Sequence, residues 1–237
     1  TPPVPATRSE SYPNPAAGPA FGYFGGGDYT LSTIDRVDYS NDTAVAAAKG
    51  PLADARYALA GTSNKDYGYS MGGKTPSEGK SSKVDRVDYA NDTATAAAKG
   101  PLSAGVYRSY AGVGNKDYGY HSGGNRPGTS SVIDRIEYAN DTATATPKGN
   151  LASSRYLHSG AGNLSYGYQI GGSPPFQNNS LVQRVDYGND TATASPKGPL
   201  HQGSRKLSSA GTADYGYVAG GTNPELSSTT RIDYSND

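Results

Sequence analysis

The stretch Gly68-Tyr69-Ser70-Met71-Gly72-Gly73 decides the fold of this chain, because its pattern, Gly-Tyr-x-x-Gly-Gly, is repeated along the sequence. Five copies occur among the 237 residues, starting at Gly22, Gly68, Gly119, Gly167 and Gly216. A second motif, Arg-(Val/Ile)-(Asp/Glu)-Tyr-x-Asn-Asp, follows each copy, starting at Arg36, Arg86, Arg135, Arg184 and Arg231. Units that recur every 46 to 51 residues are too small to be separate domains. The repeat therefore predicts one array of similar structural units.

Each unit contains four segments with the composition and the period of β-strands. These segments are represented by Arg56–Gly61 (with Arg155–Gly160 as its counterpart), Tyr67–Gly72, Val84–Tyr89 and Thr142–Thr146. The fourth segment alternates between Thr and Ala, and in two units it is followed or interrupted by a proline, Pro147 or Pro196. Because proline cannot donate a hydrogen bond to a neighbouring strand, we expect the fourth strand at the outer edge of a four-stranded sheet.

The two ends of the chain predict how the array is arranged. The last unit stops at Asp237, before its fourth strand, and the Pro-rich residues 1–7 are suited to supply that strand. We therefore predict an all-β fold: one five-bladed β-propeller over residues 1–237, with four antiparallel strands per blade and a ring closed by the N-terminal strand. Because the chain starts at Thr1 and stops inside a motif, we also expect it to be part of a larger chain or assembly.

Composition limits the class of function. Leu, Ile, Val and Phe together number only 30, so the 20 Tyr must supply much of the buried apolar area. The absence of Cys excludes disulfides and thiolate sites. Zero net charge argues against a nucleic-acid partner, and no apolar run is long enough to predict membrane insertion.

The motifs resemble the kelch repeat. The double glycine Gly72-Gly73, the strand Val84–Tyr89 and the approach Pro51–Arg56 come in kelch order, although Thr or Ala around Thr93–Thr95 replaces the kelch Trp. This resemblance implies kelch-like propeller blades. The uniform Asp-Tyr-x-Asn-Asp-Thr-Ala-Thr units are also similar to repeats in structural and tail-fibre proteins of marine tailed phages, which implies an extracellular or virion-associated protein.

Residues that are present in every unit favour a scaffold role. Arg36 and its four equivalents are flanked by acids, so we interpret them as structural ion pairs or hydrogen-bond bridges. The turn containing Asp38, Asn41 and Asp42 is rich in oxygen, but it offers fewer ligands than calcium requires. We therefore expect a turn stabilised by its own Asx side chains.

Histidines break the repeat and are candidates for chemistry. His121, His158 and His201 lie in three different units, without the spacing of metal ligands or of a nucleophile and its base. We therefore expect no catalytic residue, no metal and no cofactor.

The units differ most after the double glycine, where binding residues usually lie on a rigid scaffold. The candidate ligand-binding residues in these loops are Tyr29, Lys74, Arg126, Phe176, Gln177 and Asn223. A second candidate set consists of arginines where the inner strand begins, and we expect it to surround one mouth of the central channel: Arg56, Arg108, Arg155 and Arg205. Such a ring either binds an anionic group or anchors the loops around it.

These observations favour a non-enzymatic recognition or structural module that binds a glycan or a protein through its variable loops, as part of a virion or cell-surface appendage. Two alternatives stay open. One is a lyase or hydrolase with its site at the channel mouth, and the other is a purely architectural knob. The fold alone does not separate the three.

Overall fold

The computed structural model describes residues 21–27, 31–77, 79–173, 179–222 and 225–237. The chain forms five small antiparallel sheets in a ring, which is a five-bladed β-propeller, and the predicted fold class is confirmed. Its short 3-10 turns are Tyr89–Asn91, Tyr138–Asn140 and Tyr187–Asn189. Within the described ranges, no helix is long and apolar enough to cross a membrane.

The strands of each blade follow one another in sequence order. Blade one has β1 (Phe21–Gly25), β2 (Ile34–Asp38) and β3 (Ala47–Ala48). Blade two has β4 (Ala60–Ser63), β5 (Tyr67–Met71), the hairpin β6 (Lys74–Thr75) and β7 (Gly79–Lys80), then β8 (Val84–Asp88) and β9 (Ala97–Lys99). Blade three has β10 (Gly112–Gly114), β11 (Tyr118–Ser122), β12 (Ile133–Glu137) and β13 (Thr146–Pro147). Blade four has β14 (Ser159–Gly162), β15 (Tyr166–Ile170), β16 (Val182–Asp186) and β17 (Ser195–Lys197). Blade five has β18 (Ser208–Gly211), β19 (Tyr215–Ala219) and β20 (Thr229–Asp233).

The predicted strand order is confirmed, but two boundaries are shifted. The inner strand β4 begins at Ala60 rather than Arg56, because Ala58 has a positive φ of 55° that interrupts the extended backbone. The outer strand β13 begins at Thr146, because the first half of the Thr-Ala segment, residues 142–143, forms a turn and a bend. Both prolines lie in edge strands, as expected. The predicted closing strand, residues 1–7, lies outside the described residues.

The hydrophobic core lies between blades and is divided into four clusters. In one of them, Tyr69 and Met71 of blade two pack with Val106 and Ile136 of blade three. In blades one to four, a tyrosine of the strand that carries the Gly-Tyr motif stacks on the tyrosine that follows the third strand of the next blade. The ring centroids are 4.6 to 4.9 Å apart: Tyr23 on Tyr89, Tyr69 on Tyr138, Tyr120 on Tyr187 and Tyr168 on Tyr234. Tyrosine thus supplies much of the apolar packing between blades, because the chain has few aliphatic side chains to do so.

A polar cluster, here called the latch, accompanies each stacked pair. Between blades two and three, Asp141 accepts hydrogen bonds from the Tyr69 hydroxyl at 3.0 Å and from Arg86 Nη1 at 2.8 Å, and Lys99 Nζ lies 3.1 Å away. The same four residue types form three further latches, in which the carboxylates are Asp92, Asp190 and Asp237. Each latch joins one blade to the next through a nearly buried, charge-assisted network.

The latch corrects one prediction. The third-strand arginine is structural, as expected, but its partner is the turn carboxylate of the next blade and not a flanking acid of its own strand. Burial alone would raise the pKa of Asp92, yet the hydrogen bonds from Tyr23 and Lys49 and the charge of Arg36 outweigh it and lower the pKa. The predicted Asx turn is also present, since the Asp38 carboxylate accepts from the amide of Ser40.

Candidate functional site

The residues just before each inner strand gather at one mouth of the propeller. Tyr57 pairs with Lys74 through reciprocal backbone hydrogen bonds, and Tyr107 pairs with Asn125 in the same way. These bridges join the connection that enters a blade to the loop that follows the double glycine. Both connections therefore lie on the same face of the propeller.

A strained backbone position is repeated around this mouth. Ala58, Arg108, Leu157 and Lys206 occupy equivalent places, and all have φ between 55° and 58°. The amide of Leu157 donates to the carbonyl of Arg108, and the amide of Lys206 donates to the carbonyl of Leu157, both at 2.8 Å. Left-handed backbone is costly for residues other than glycine, so neighbouring blades must hold it in place. Such strain is often found at binding sites.

The mouth encloses a cavity of about 260 Å³. Tyrosine side chains from blades two, three and four line it, together with cationic side chains from blades three and five. The lining residues are Tyr57, Tyr107, Arg108, Tyr110, Tyr156, Leu157, Arg205 and Lys206. The rings of Tyr57 and Tyr107 meet edge to face with centroids 5.7 Å apart. We call this space the mouth cavity.

The electrostatics of the mouth cavity differ from those of the latches. Arg108, Arg205 and Lys206 have no carboxylate partner among the described residues, whereas every latch cation has one. No Asp or Glu is among the described lining residues. Burial acts to raise the pKa of Tyr107, but hydrogen bonding with Tyr57 and Arg108 and the charges of Arg108 and Lys74 outweigh it, so the pKa is lowered. The cavity is therefore a region of positive potential.

The predicted ring of four equivalent arginines is wrong in its geometry. Arg108 and Arg205 line the mouth cavity, whereas Arg56 and Arg155 are fully buried inside their blades. Arg56 donates to the carbonyl oxygens of Gly72 and Lys83 and pairs with Asp85 at 2.7 Å. Arg155 likewise donates to backbone carbonyls of its own blade. These two guanidinium groups hold the blade together, and no surface of theirs is left for a ligand.

The loop candidates divide in a similar way. Lys74 lies at the mouth, with Nζ 5.9 Å from the ring centroid of Tyr57 and 5.7 Å from that of Tyr107. Arg126 is instead buried and pairs with Asp134. Tyr29, Phe176, Gln177 and Asn223 lie outside the described residues.

Arg126 is buried because it compensates for a change in its blade. Val106 stands where blades two and four carry Arg56 and Arg155, as the equivalent backbone hydrogen bonds of these three residues show. The loop arginine therefore supplies the guanidinium that Asp134 needs, just as Arg56 does for Asp85. Arg126 is therefore present in this loop because it replaces the inner arginine of blades two and four, and not because it binds a ligand.

Sequence reasoning missed most of the aromatic wall. Tyr57, Tyr107 and Tyr156 precede the positive-φ position in three successive blades, and Lys206 occupies that position in blade five. One sequence signal points to this wall. Three units carry a tyrosine at the same position, and the residue after it differs from unit to unit. Residues repeated in every unit indicate a scaffold, but here a repeated tyrosine also lines the mouth cavity.

Two of the histidines are buried polar groups in the interior. His121 and His158 are fully buried, and neither ring nitrogen of either residue has a hydrogen-bond partner among the described residues. The described part of the chain contains no group of three or more His, Cys, Asp or Glu residues placed to hold a metal ion. Burial lowers the pKa of His121 to about 4 and lowers that of His158 well below its ordinary value.

These histidines predict that the protein loses stability in mild acid. Because their pKa values are lowered on folding, the unfolded chain binds protons first, and stability falls as the pH drops through 6.5 towards the folded values. His121 alone is expected to cost about 2 kcal/mol between pH 7 and pH 5. Urea denaturation at the two pH values measures this loss.

The repeats provide the control variant for this test. Gln169 stands at the place of His121 in blade four, and Leu207 stands at the place of His158 in blade five. The double variant His121→Gln, His158→Leu is expected to lose much less stability between pH 7 and pH 5. An unchanged pH dependence in this variant would show that other groups cause it.

Comparison with protein-family models found no match to the chain, and comparison with curated proteins found no similar sequence. The fold class therefore rests on the geometry of the blades. The functional conclusion rests on the mouth cavity.

Proposed function

We propose that this protein is a non-enzymatic recognition module that binds an acidic group of its ligand in the mouth cavity. The observation that carries this proposal is the grouping of Arg108, Arg205 and Lys206 beside four tyrosine side chains, without a carboxylate partner in the described part of the chain. Elsewhere the described cations are mostly neutralised by Asp, so leaving these three unpaired at one concave place favours an anionic ligand.

The size of the cavity limits what enters it. A space of about 260 Å³ accommodates one sugar residue or one acidic side chain rather than a whole protein surface. Tyrosine rings pack against the apolar faces of sugars and donate hydrogen bonds, and guanidinium groups bind carboxylate or sulfate in a bidentate manner. An acidic glycan would contact both the tyrosine rings and the guanidinium groups. An acidic loop of a protein partner would contact the guanidinium groups.

The proposal also covers where the protein acts and which repeats it resembles. The motif resemblance to kelch-like repeats and to phage structural and tail-fibre repeats supports a role as a domain of a virion or cell-surface appendage. Receptor recognition by such an appendage would place the mouth face towards the target surface.

The test compares two variants with the same loss of charge on opposite faces. Arg108→Gln with Arg205→Gln removes two cations from the mouth, and Lys65→Gln with Lys116→Gln removes two from exposed turns. On an array of neutral, carboxylated and sulfated glycans, the wild type is expected to bind acidic glycans. The mouth variant is expected to lose at least about tenfold in affinity, and the turn variant to keep it.

Binding that survives in the mouth variant would contradict the proposed site. Absence of binding to any glycan or to any acidic protein surface would favour the architectural alternative.

A second candidate function is a lyase at the same mouth, which the lowered pKa of Tyr107 beside Arg108 favours. A tyrosinate can remove the proton next to a sugar carboxylate while cations stabilise the charge that develops, and the tyrosine then returns this proton to the sugar oxygen as its bond to carbon breaks. Incubation with a polyuronate distinguishes the functions, because elimination leaves an unsaturated, ultraviolet-absorbing sugar end. We expect no such product. Product that disappears in Tyr107→Phe would establish the lyase instead.

A further inference from the structure

Four of the five blade junctions are closed by a latch and a tyrosine stack. The described parts of the two blade faces that belong to the fifth junction carry three of the four latch residue types, namely tyrosine, arginine and aspartate, and not the lysine. Blade one offers Tyr39 and Asp42, at the places of Tyr89 and Asp92 in blade two. Blade five offers Tyr217, whose strand register places it opposite Arg231, just as Tyr69 lies opposite Arg86. Each face is thus one half of a known contact.

The blade-one half is more exposed than its equivalents at the other junctions. Tyr39 is 45% exposed, and Asp42 lies in solvent, whereas Asp92 is buried at the next junction. Phe24, on the same side of its strand as Gly22, is 63% exposed, although His121 and Gln169 at the same place are fully buried. Large apolar side chains that are exposed together usually mark a surface that another surface covers.

The blade-five half shows the complementary exposure. Tyr217 is 39% exposed, whereas Tyr69, Tyr120 and Tyr168 are buried. Arg231 is exposed, packs on the ring of Tyr215 at 4.6 Å, and has no carboxylate partner among the described residues. Both hydrogen-bond donors of a latch are therefore present here without their acceptor.

We propose that blades one and five close on each other through a fifth latch, in which Tyr217 and Arg231 donate to Asp42 and Tyr217 stacks on Tyr39. The charges are complementary, and in each of the four existing junctions the tyrosine and the arginine of one blade donate to the aspartate of the next in the same way. The partner is the same chain rather than a second copy. The two blades belong to one ring, so their effective concentration far exceeds that of separate molecules.

Closure has a consequence for the mouth cavity, because blade five supplies Arg205 and Lys206 to it. A fifth latch holds blade five from both sides and thereby fixes these two cations relative to Arg108 of blade three. The inference itself does not depend on the proposed function, since it concerns the junction alone.

A double-mutant cycle on the thermal midpoint tests the fifth latch. Asp42→Asn and Arg231→Gln are each expected to lower Tm by about 5 °C, and the double variant to be little worse than either, because both changes break one contact. The exchanged pair Asp42→Arg, Arg231→Asp is expected to recover part of the loss. All values should be the same over a tenfold range of protein concentration.

Three results would overturn the proposal. Changes of less than about 1 °C in both single variants would mean that the two side chains remain in solvent. Purely additive losses, without recovery in the exchanged pair, would mean that they act separately. Losses that grow with protein concentration, together with a dimer in sedimentation, would assign the contact to two copies of the chain.

Discussion

Replacing Asp141 by asparagine is expected to destabilise the propeller by about 3 kcal/mol. Asp141 is nearly buried and accepts from both Tyr69 and Arg86, with Lys99 beside it. Asparagine keeps the shape but removes the charge, so Arg86 and Lys99 remain at the junction as largely buried cations without a counterion. Equilibrium unfolding in urea measures the loss, which appears as a lower midpoint.

The matched control is Asp117→Asn. Asp117 also pairs with a lysine, Lys116, but both side chains are more than half exposed. Exposed pairs contribute little, so a change below about 1 kcal/mol is expected. Equal effects at the two sites would contradict the assignment of the latch as the main polar contact between blades.

Replacing Gly100 by alanine is expected to destabilise the protein by about 3 kcal/mol, since the clash it creates is with backbone. A Cβ on Gly100 would lie 1.9 Å from the carbonyl oxygen of Ala143 in the next blade. The amide of Gly100 also donates to the carbonyl of Asp141 at 2.8 Å, so the chain cannot move away without losing this bond. Thermal and urea denaturation both report the loss.

Gly198, the equivalent residue in blade four, provides the control. It follows a lysine at the equivalent position, yet nothing described lies within 4 Å of a Cβ built there. Gly198→Ala is therefore expected to be neutral or slightly stabilising, because alanine restricts the unfolded chain. If Gly198→Ala were as damaging as Gly100→Ala, local backbone conformation rather than the inter-blade contact would be the reason for the glycine.

The fold could be predicted because its signals are local and repeated. The Gly-Tyr-x-x-Gly-Gly motif, the strand from Val84 and the edge prolines each specify a strand within one unit, and five copies of that unit specify a propeller. The junctions could be predicted only in part. The structural role of Arg36 followed from its presence in every unit, but its partner, Asp92, lies in the next blade. Nothing in the spacing within one unit fixes the register between blades.

The site was less predictable because a single step along the chain reverses the direction of a side chain. Arg56 and Arg205 look equivalent in sequence, but the backbone bridges show that Arg205 corresponds to Tyr57. Arg56 therefore lies one residue before the position of Arg205. One side chain is therefore buried in its blade and the other lines the mouth cavity. Gly68 shows a similar limit: the ring against it belongs to Tyr89, which follows the third strand of its own blade, a contact that the spacing of the motif does not specify.

The central claim, that the mouth cavity recognises an acidic ligand, is tested most directly by nuclear magnetic resonance of the labelled protein titrated with glucuronate and, separately, with its neutral methyl ester. We predict that glucuronate shifts the amide signals of residues 57–58, 107–108, 156–157 and 205–206, and that the ester shifts them much less. Shifts centred on the turns of the opposite face, around Asn91 and Asn140, or equal shifts with the acid and the ester, would contradict the claim.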